Sequence, residues 1–187
     1  ILNMVVCNPK KFIFIEVPKT ASTSIINALH EIIDVSSFDF YKNQKNRLNI
    51  NLRHCNITQA IELFPETKDY FKFAFVRNPW DRAVSYYFWK NTEMSFSDFV
   101  VSDDFDLLGQ CDYLYDKMDF IGRFENLQND FDIICEEVGA PKKQLIKINV
   151  SVSKHKHYAE YYDEETKQIV AEKYAEDIEY FGYKFGE

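Results

Sequence analysis

The sequence predicts an α/β fold in which one parallel sheet is flanked by helices within a single domain, residues 1–187. Two mostly apolar runs, Lys11–Val17 and Tyr70–Val76, each lead through a polar turn into a helical pattern. Such runs are typical of strands that a parallel sheet buries on both faces. The 46% hydrophobic content, with only five glycines and five prolines, favours one domain without a long linker.

The elements in the first half follow from local patterns. Hydrophobic spacing after the first strand predicts a helix near Ser22–Ile33, and a polar, irregular stretch follows at Ser36–Leu52. A short helix is expected over Asn56–Phe64, because Pro65 would stop it. The second strand, Tyr70–Val76, comes next.

The helix after the second strand has a recognisable start. Pro79 suits the first helical position and Asn78 can cap it, so a helix is expected from Pro79 to about Asn91. Ser95 is a candidate cap for a further short helix.

The last third continues the alternation. A strand is predicted at Asp119–Phe124, followed by a helix that Gly139 and Pro141 close. A strand at Leu145–Val150 and an amphipathic helix from Asp163 to about Ala175 complete the pattern. The apolar face of the helix before Gly139 consists of Leu127, Phe131, Ile134 and Val138. Strands that alternate with helices place ligand-binding loops at their carboxyl ends.

A loop rich in hydroxyl side chains follows the first strand. Residues 18–24 read Pro-Lys-Thr-Ala-Ser-Thr-Ser, and the predicted helix begins within them. A helix start presents backbone N–H groups and a positive dipole end, and Lys19 adds a charge. The loop therefore predicts a site for a phosphate- or sulfate-like group. The alternative is an ordinary turn whose hydroxyls only cap the helix. The four hydroxyls belong to Thr20, Ser22, Thr23 and Ser24.

A second candidate anion site follows the second strand. Arg77 at the strand exit can form a bidentate pair with a phosphate, and Ser85 lies two helical turns farther on. The alternative is that Arg77 pairs with a carboxylate and Ser85 is a buried helix hydroxyl. Two such units suggest a ligand with two separated anionic groups.

Together these residues resemble a family. Residues 18–24 are similar to the 5′-phosphosulfate loop of sulfotransferases that use 3′-phosphoadenosine 5′-phosphosulfate (PAPS). Residues 77–85 are similar to their 3′-phosphate motif, an arginine followed eight residues later by a serine. The first loop most resembles carbohydrate sulfotransferases of the heparan sulfate 2-O-sulfotransferase type, as do residues 120–127 and 181–185. The resemblance implies a P-loop-like sheet, PAPS as donor, adenosine 3′,5′-bisphosphate (PAP) as product, and no metal.

The resemblance also implies roles for individual residues. Lys19 is expected to bind the donor and to stabilise charge on the departing phosphate. Ser153 and Lys156 belong to a loop that would close over the nucleotide. The full set expected to bind the cofactor is Lys19, Thr20, Ala21, Ser22, Thr23, Ser24, Arg77, Ser85, Ser153 and Lys156.

His54 is the candidate general base that takes a proton from the acceptor hydroxyl. It lies in a basic stretch, which favours neutral imidazole, and the matching position in the resembling enzymes carries a catalytic histidine. The alternative is a histidine that caps or packs against the following helix. His155, His157 and Glu16 are the next candidates.

Charge and composition narrow the partners. The net charge of −8 at pH 7 argues against general nucleic-acid binding. Two stretches nevertheless contain no Asp or Glu: Phe40–Ile61, with four Lys or Arg, and Val138–Ala159, with five Lys. Such stretches can focus anions locally, and the alternative is that their lysines are simply solvated. The acceptor that the resemblance to carbohydrate sulfotransferases implies bears a hydroxyl and is a carbohydrate.

The same residues bear on alternative activities and on location. A P-loop nucleotide kinase or NTPase is disfavoured because residues 17–23 lack the glycines of G-x-x-x-x-G-K-[ST]. A non-catalytic module that binds a nucleotide or glycan is the other alternative. No apolar run reaches the length of a membrane span. Four scattered cysteines favour reduced thiols and a cytoplasmic location, with a lumenal one if an upstream anchor has been removed. Cys135 is expected to be a core thiol.

Overall fold

The strands of the protein form one mixed sheet. The structure is a computed structural model, and it describes residues 4–33, 38–40, 58, 61–62, 64–114, 118–146 and 156–187. The strands are β1 (Met4–Cys7), β2 (Phe12–Ile15), β3 (Phe38–Phe40), β4 (Phe71–Val76) and β5 (Phe120–Arg123). Their spatial order is β3-β1-β2-β4-β5. Helices alternate with the strands along the chain, so the predicted α/β class is confirmed.

The strands that the sequence predicted form the parallel part of the sheet. β2 pairs with β4, and β4 pairs with β5, both in parallel. β1 runs antiparallel to β2, and β3 runs antiparallel to β1, so two antiparallel strands extend the expected parallel sheet. The Lys11 N–H bonds the Asn8 carbonyl at 3.3 Å, and Lys11 has a φ of 50°. A turn this short joins only antiparallel strands.

Among the described residues, the structure defines the bounds of seven α-helices. They are α1 (Ser22–Ile32), α2 (Pro79–Lys90), α3 (Phe96–Val101), α4 (Cys111–Leu114), α5 (Leu127–Glu137), α6 (Glu164–Lys173) and α7 (Ala175–Phe181). Short 3₁₀ helices occupy Pro65–Thr67, Phe124–Asn126 and Tyr158–Tyr161.

Most of the helix predictions hold where the structure describes the residues. Asn78 and Ser95 cap α2 and α3 with their side chains, as expected. The last predicted helix, Asp163 to about Ala175, is confirmed as α6, and a further helix that was not predicted, α7, follows after Tyr174, where φ is −116°. Of the predicted helix Asn56–Phe64, residues 58, 61 and 62 are described and helical, whereas Phe64 is described and is not.

One predicted strand is not seen where the structure describes it. Leu145 and Ile146 are not in a strand, and the other residues of Leu145–Val150 lie outside the described residues. The Leu145 N–H instead bonds Oε1 of Gln128 at 2.8 Å. A side-chain amide thus takes the place of a ladder partner.

The chain divides into two units, and the first contains the sheet. It comprises Ile1–Val76 and Asp112–Ile148. Alternate strand residues bury one face of the sheet against α1 and α5. Phe14 and Phe73 stack across β2 and β4 with ring centroids 5.0 Å apart. Burial raises the pKa of the Cys135 thiol to about 11, which confirms a core thiol.

The second unit, Arg77–Cys111 with Asn149–Glu187, has an aromatic core around α2. Phe185 meets three rings edge-on, with centroids 5.4–5.7 Å apart. Those rings belong to Trp80, Tyr158 and Tyr162. Edge-to-face pairs add to the stabilisation from buried area, so this core holds α2 firmly at its first turn.

Candidate functional site

The loop after β2 is closed by its own threonine. Thr20 is fully buried, and its hydroxyl donates a 2.8 Å hydrogen bond to the carbonyl oxygen of Val17. Val17 is fully buried as well, so this bond anchors a tight turn between β2 and α1. Because the hydroxyl proton is used here, a donated bond from Thr20 to an anion would come from its backbone N–H.

Two residues of this loop have left-handed backbone conformations. The φ angle is 72° at Lys19 and 69° at Ala21. This conformation costs about 1–2 kcal/mol at a residue other than glycine. Strain of this kind collects at ligand sites, and turns that include left-handed residues can direct successive N–H groups to one concave point. The backbone of the loop is therefore suited to holding an anion.

Helix α1 begins directly at this turn. Ala21 is its N-cap residue, and no side-chain capping bond is made there. The N–H groups of the first turn and the positive end of the helix dipole therefore face the loop. The N-cap residue itself therefore provides no hydroxyl cap.

The other hydroxyls of the loop differ in exposure. Ser22 is half-buried and Thr23 is exposed, so both can reach a ligand in solvent. Ser24 is buried and lines a shallow groove that is open to solvent. Asn27, Glu31 and Lys143 also line this groove, in which Lys143 pairs with Glu31 at 2.6 Å.

Arg77, in the second unit, is held at three points. Its N–H donates to Oε1 of Gln110 at 2.8 Å, and its carbonyl oxygen accepts from Nε2 of Gln110 at 2.9 Å. Its Nε donates to Oδ2 of Asp81 at 2.7 Å. The carboxylate pair of the alternative interpretation is therefore present. Because the pair is made at Nε, it fixes the orientation of the guanidinium group.

Asp81 contacts Arg77, which precedes α2, and lies four residues before Ser85 within α2. This spacing places Asp81 and Ser85 on one helix face. Ser85 is half-buried, not fully buried as the alternative interpretation expected. The aspartate, which the sequence analysis did not single out, thus lies between the two predicted phosphate contacts in sequence.

The two motifs follow neighbouring parallel strands. Ile15 pairs with Ala74 in register, so the carboxyl ends of β2 and β4 lie at the same edge of the sheet. Residues 16–21 follow β2, and Arg77 comes directly after Val76 at the end of β4. The loop after β2 thus leaves the sheet at the edge where open α/β sheets have their ligand loops.

The remaining predicted site residues belong to later or undescribed segments. Lys156 is exposed at the start of the last described stretch. His54 and Ser153 lie outside the described residues, and so does His155.

His157, an alternative base, has a local structural role. Its Nδ1 accepts from the Ala159 N–H at 3.4 Å, and its own N–H donates to Oε1 of Glu160 at 3.1 Å. These two bonds form a capping box at the start of a 3₁₀ helix. The imidazole is therefore engaged in capping.

The basic stretches are partly neutralised where the structure describes them. Lys142 pairs with Glu136 at 2.5 Å, and Lys143 pairs with Glu31 at 2.6 Å. These contacts favour the solvated interpretation for both lysines. Most of the first basic stretch lies outside the described residues.

The ranges of the chain that the structure describes contain neither a metal-binding cluster nor a membrane-spanning helix. Within them, no group of three or more His, Cys, Asp or Glu could hold a metal ion. No helix in the described part of the chain is long and apolar enough to cross a membrane.

Gln110 and Asp177 are further residues that the sequence analysis missed. Gln110 is 33 residues from Arg77 in the chain, and Asp177 binds Gln110 from a distance of 67 residues. Neither has a local motif that could have revealed it. Asp81, by contrast, lies only four residues after Arg77, so a local contact between the two could have been anticipated.

Comparison with known proteins relates most of the chain to one family. Residues 2–104 and 105–184 match the profile of the sulfotransferase family. An uncharacterized protein of Archaeoglobus fulgidus is 34% identical over 94 residues, which cover 44% of this chain and 78% of that relative. No solved structure matches the chain.

Proposed function

Because the chain belongs to the sulfotransferase family, we propose that it transfers a sulfuryl group from PAPS to a hydroxyl of a carbohydrate. The observation that carries the choice of donor is the pair of anion motifs after β2 and β4. PAPS bears a 5′-phosphosulfate and a 3′-phosphate, one for each motif. The family profile extends across both units of the chain, which supports a single sulfotransferase domain.

The loop before α1 supplies the positive potential that the transfer requires. Negative charge builds on the oxygen of the leaving 5′-phosphate as the sulfuryl group departs, much as in phosphoryl transfer. The N–H groups at the start of α1 and the ammonium of Lys19 would stabilise this charge. Because the Thr20–Val17 bond already holds the turn, these donors need little reorganisation during the reaction.

His54 is the general base in this proposal. It takes the proton of the acceptor hydroxyl while the acceptor oxygen forms a bond to sulfur. The bond between sulfur and the phosphate oxygen breaks on the opposite side, in line. The basic residues around His54 in sequence support this role, because positive neighbours keep imidazole neutral.

Replacing His54 tests this role. We expect His54→Ala to lower turnover by roughly 10²–10⁴-fold while PAP affinity stays close to that of the wild type. Wild-type turnover should rise with pH through the imidazole pKa, since only neutral imidazole accepts a proton. Lost PAP binding would make His54 structural, and full activity would move the base to another residue.

The carbohydrate acceptor rests on the likeness of residues 18–24 to carbohydrate sulfotransferases. The test incubates the protein with labelled PAPS and separate pools of glycans, phenols, alcohols and peptides, followed by mass spectrometry. We expect sulfate on the glycans, and none with a Lys19→Ala variant. Sulfation confined to another pool would contradict the acceptor class. PAP binding without turnover in any pool would indicate a binding module, and magnesium-dependent ATP turnover a kinase or NTPase.

A further inference from the structure

Gln110 brackets the backbone of Arg77. It accepts from the Arg77 N–H at 2.8 Å through Oε1 and donates to the Arg77 carbonyl at 2.9 Å through Nε2. Its side chain is fully buried. The side-chain amide of Gln110 therefore pairs with both the N–H and the carbonyl of Arg77, the residue that follows strand β4.

Gln110 is itself anchored by a buried carboxylate. Its backbone N–H donates to both oxygens of Asp177, at 2.7 and 2.8 Å, and the Cys111 N–H donates to Oδ1 at 2.8 Å. Asp177 is 1% exposed, and its Oδ2 lies 4.0 Å from Nη1 of the buried Arg82. In this network Asp177, in α7, holds the Gln110 backbone, and Arg82, in α2, lies beside the same carboxylate.

The network fixes the backbone from which the Arg77 side chain extends, and Asp81 orients that side chain at Nε. Shifting the backbone would move the guanidinium relative to any bound phosphate. Bidentate recognition depends strongly on the orientation of the guanidinium plane. A residue that holds the Arg77 peptide therefore influences phosphate recognition without touching the phosphate.

We propose that Gln110 is a positioning residue that sets the preference for a 3′-phosphate by acting through Arg77. The inference rests on the proposed use of Arg77 in binding the 3′-phosphate of the donor. It assigns Gln110 no contact with substrate or reacting atoms.

The test compares the affinities for PAP and for adenosine 5′-phosphate, measured by calorimetry on the full chain. The ratio of the two affinities reports recognition of the 3′-phosphate alone. We expect Gln110→Met to reduce this ratio roughly tenfold, which is about the effect of losing one hydrogen bond. The affinity for adenosine 5′-phosphate should change little.

A matched control comes from a second bracketing glutamine. Gln128 accepts from the Leu145 N–H at 2.8 Å and donates to the Lys143 carbonyl at 3.1 Å, away from Arg77 in sequence. Gln128→Met removes the same kind of bonds, so we expect a lower melting temperature and an unchanged affinity ratio. A general loss of stability would affect both variants alike.

A double-mutant cycle tests whether Gln110 acts through Arg77. In an Arg77→Ala background, Gln110→Met should change PAP affinity less than twofold, because the residue it positions is gone. Additive effects would overturn the proposal, as would an unchanged ratio in Gln110→Met alone. A wild type that binds PAP no more tightly than adenosine 5′-phosphate would overturn the assignment of Arg77 in the proposed function, and this inference with it.

A second variant keeps the proposal testable if Gln110→Met does not fold. Gln110→Glu retains the acceptor for the Arg77 N–H and, when ionised, loses the donor to the carbonyl. It should reduce the affinity ratio in the same direction. If neither variant folds, Gln110 is required for folding, and its proposed role in recognising the 3′-phosphate is overturned.

Discussion

The loop at residues 16–21 and the turn at Arg77 are built in different ways. The first is a backbone device, with left-handed residues at Lys19 and Ala21 leading into the start of α1. The second is a side-chain device, in which Asp81 and Gln110 hold one arginine. A backbone site depends on a few consecutive residues, whereas a side-chain site depends on residues brought from distant parts of the chain. Damage to the two should therefore have different consequences.

Removing the anchor of the side-chain device should have the largest effect on stability. Asp177→Ala takes the acceptor from the N–H groups of Gln110 and Cys111 and the carboxylate from near Arg82. We expect a loss of about 3–5 kcal/mol in the free energy of unfolding, because buried partners lose their counterpart. Urea denaturation measures it. Asp177→Asn, which keeps an acceptor, should lose less, and equal losses would contradict the hydrogen-bonding account.

Lys19 tests the chemistry of the backbone device. We expect Lys19→Ala to lower turnover by roughly 10²–10³-fold at saturating PAPS, since its charge matters most as the leaving phosphate becomes negative. PAP affinity should fall much less. Steady-state kinetics and calorimetry separate the two quantities. Unchanged turnover at saturation would leave Lys19 with a binding role only.

Arg77 tests the side-chain device directly. We expect Arg77→Ala to weaken PAP binding by about 2–4 kcal/mol, because a charge-assisted contact to phosphate is lost. Affinity for adenosine 5′-phosphate should stay near the wild-type value. Equal losses for both ligands would show that Arg77 does not recognise the 3′-phosphate.

Ala21 offers the smallest expected change. Its φ of 69° is unfavourable for alanine and accessible to glycine. Ala21→Gly should therefore change the free energy of unfolding by less than about 1 kcal/mol, because relief of strain opposes the added entropy of the unfolded chain. A loss of more than about 2 kcal/mol on urea denaturation would show that the methyl group matters beyond backbone geometry.

Local signals predicted the elements next to the candidate site well. The spacing of apolar residues identified β2, β4 and α1, and Asn78 with Pro79 marked the start of α2. The antiparallel strand β1 was missed because residues 8–11 form a turn without glycine. Helix α7 was missed because its N-cap residue, Tyr174, makes no side-chain capping bond, so no capping residue marks its start. Both elements lack the local signals from which the others were predicted.

The sequence by itself determined the family, the parallel centre of the sheet, and the two motifs that follow β2 and β4. These depend on consecutive residues, so a pattern in the chain is enough to reveal them. Only the tertiary structure decided that Thr20 closes its own turn and that Ala21 begins α1 without a side-chain cap. It also decided that Gln110 and Asp177 support Arg77. Bonds between residues far apart in the chain form only when folding makes them neighbours, and no local pattern encodes their pairing.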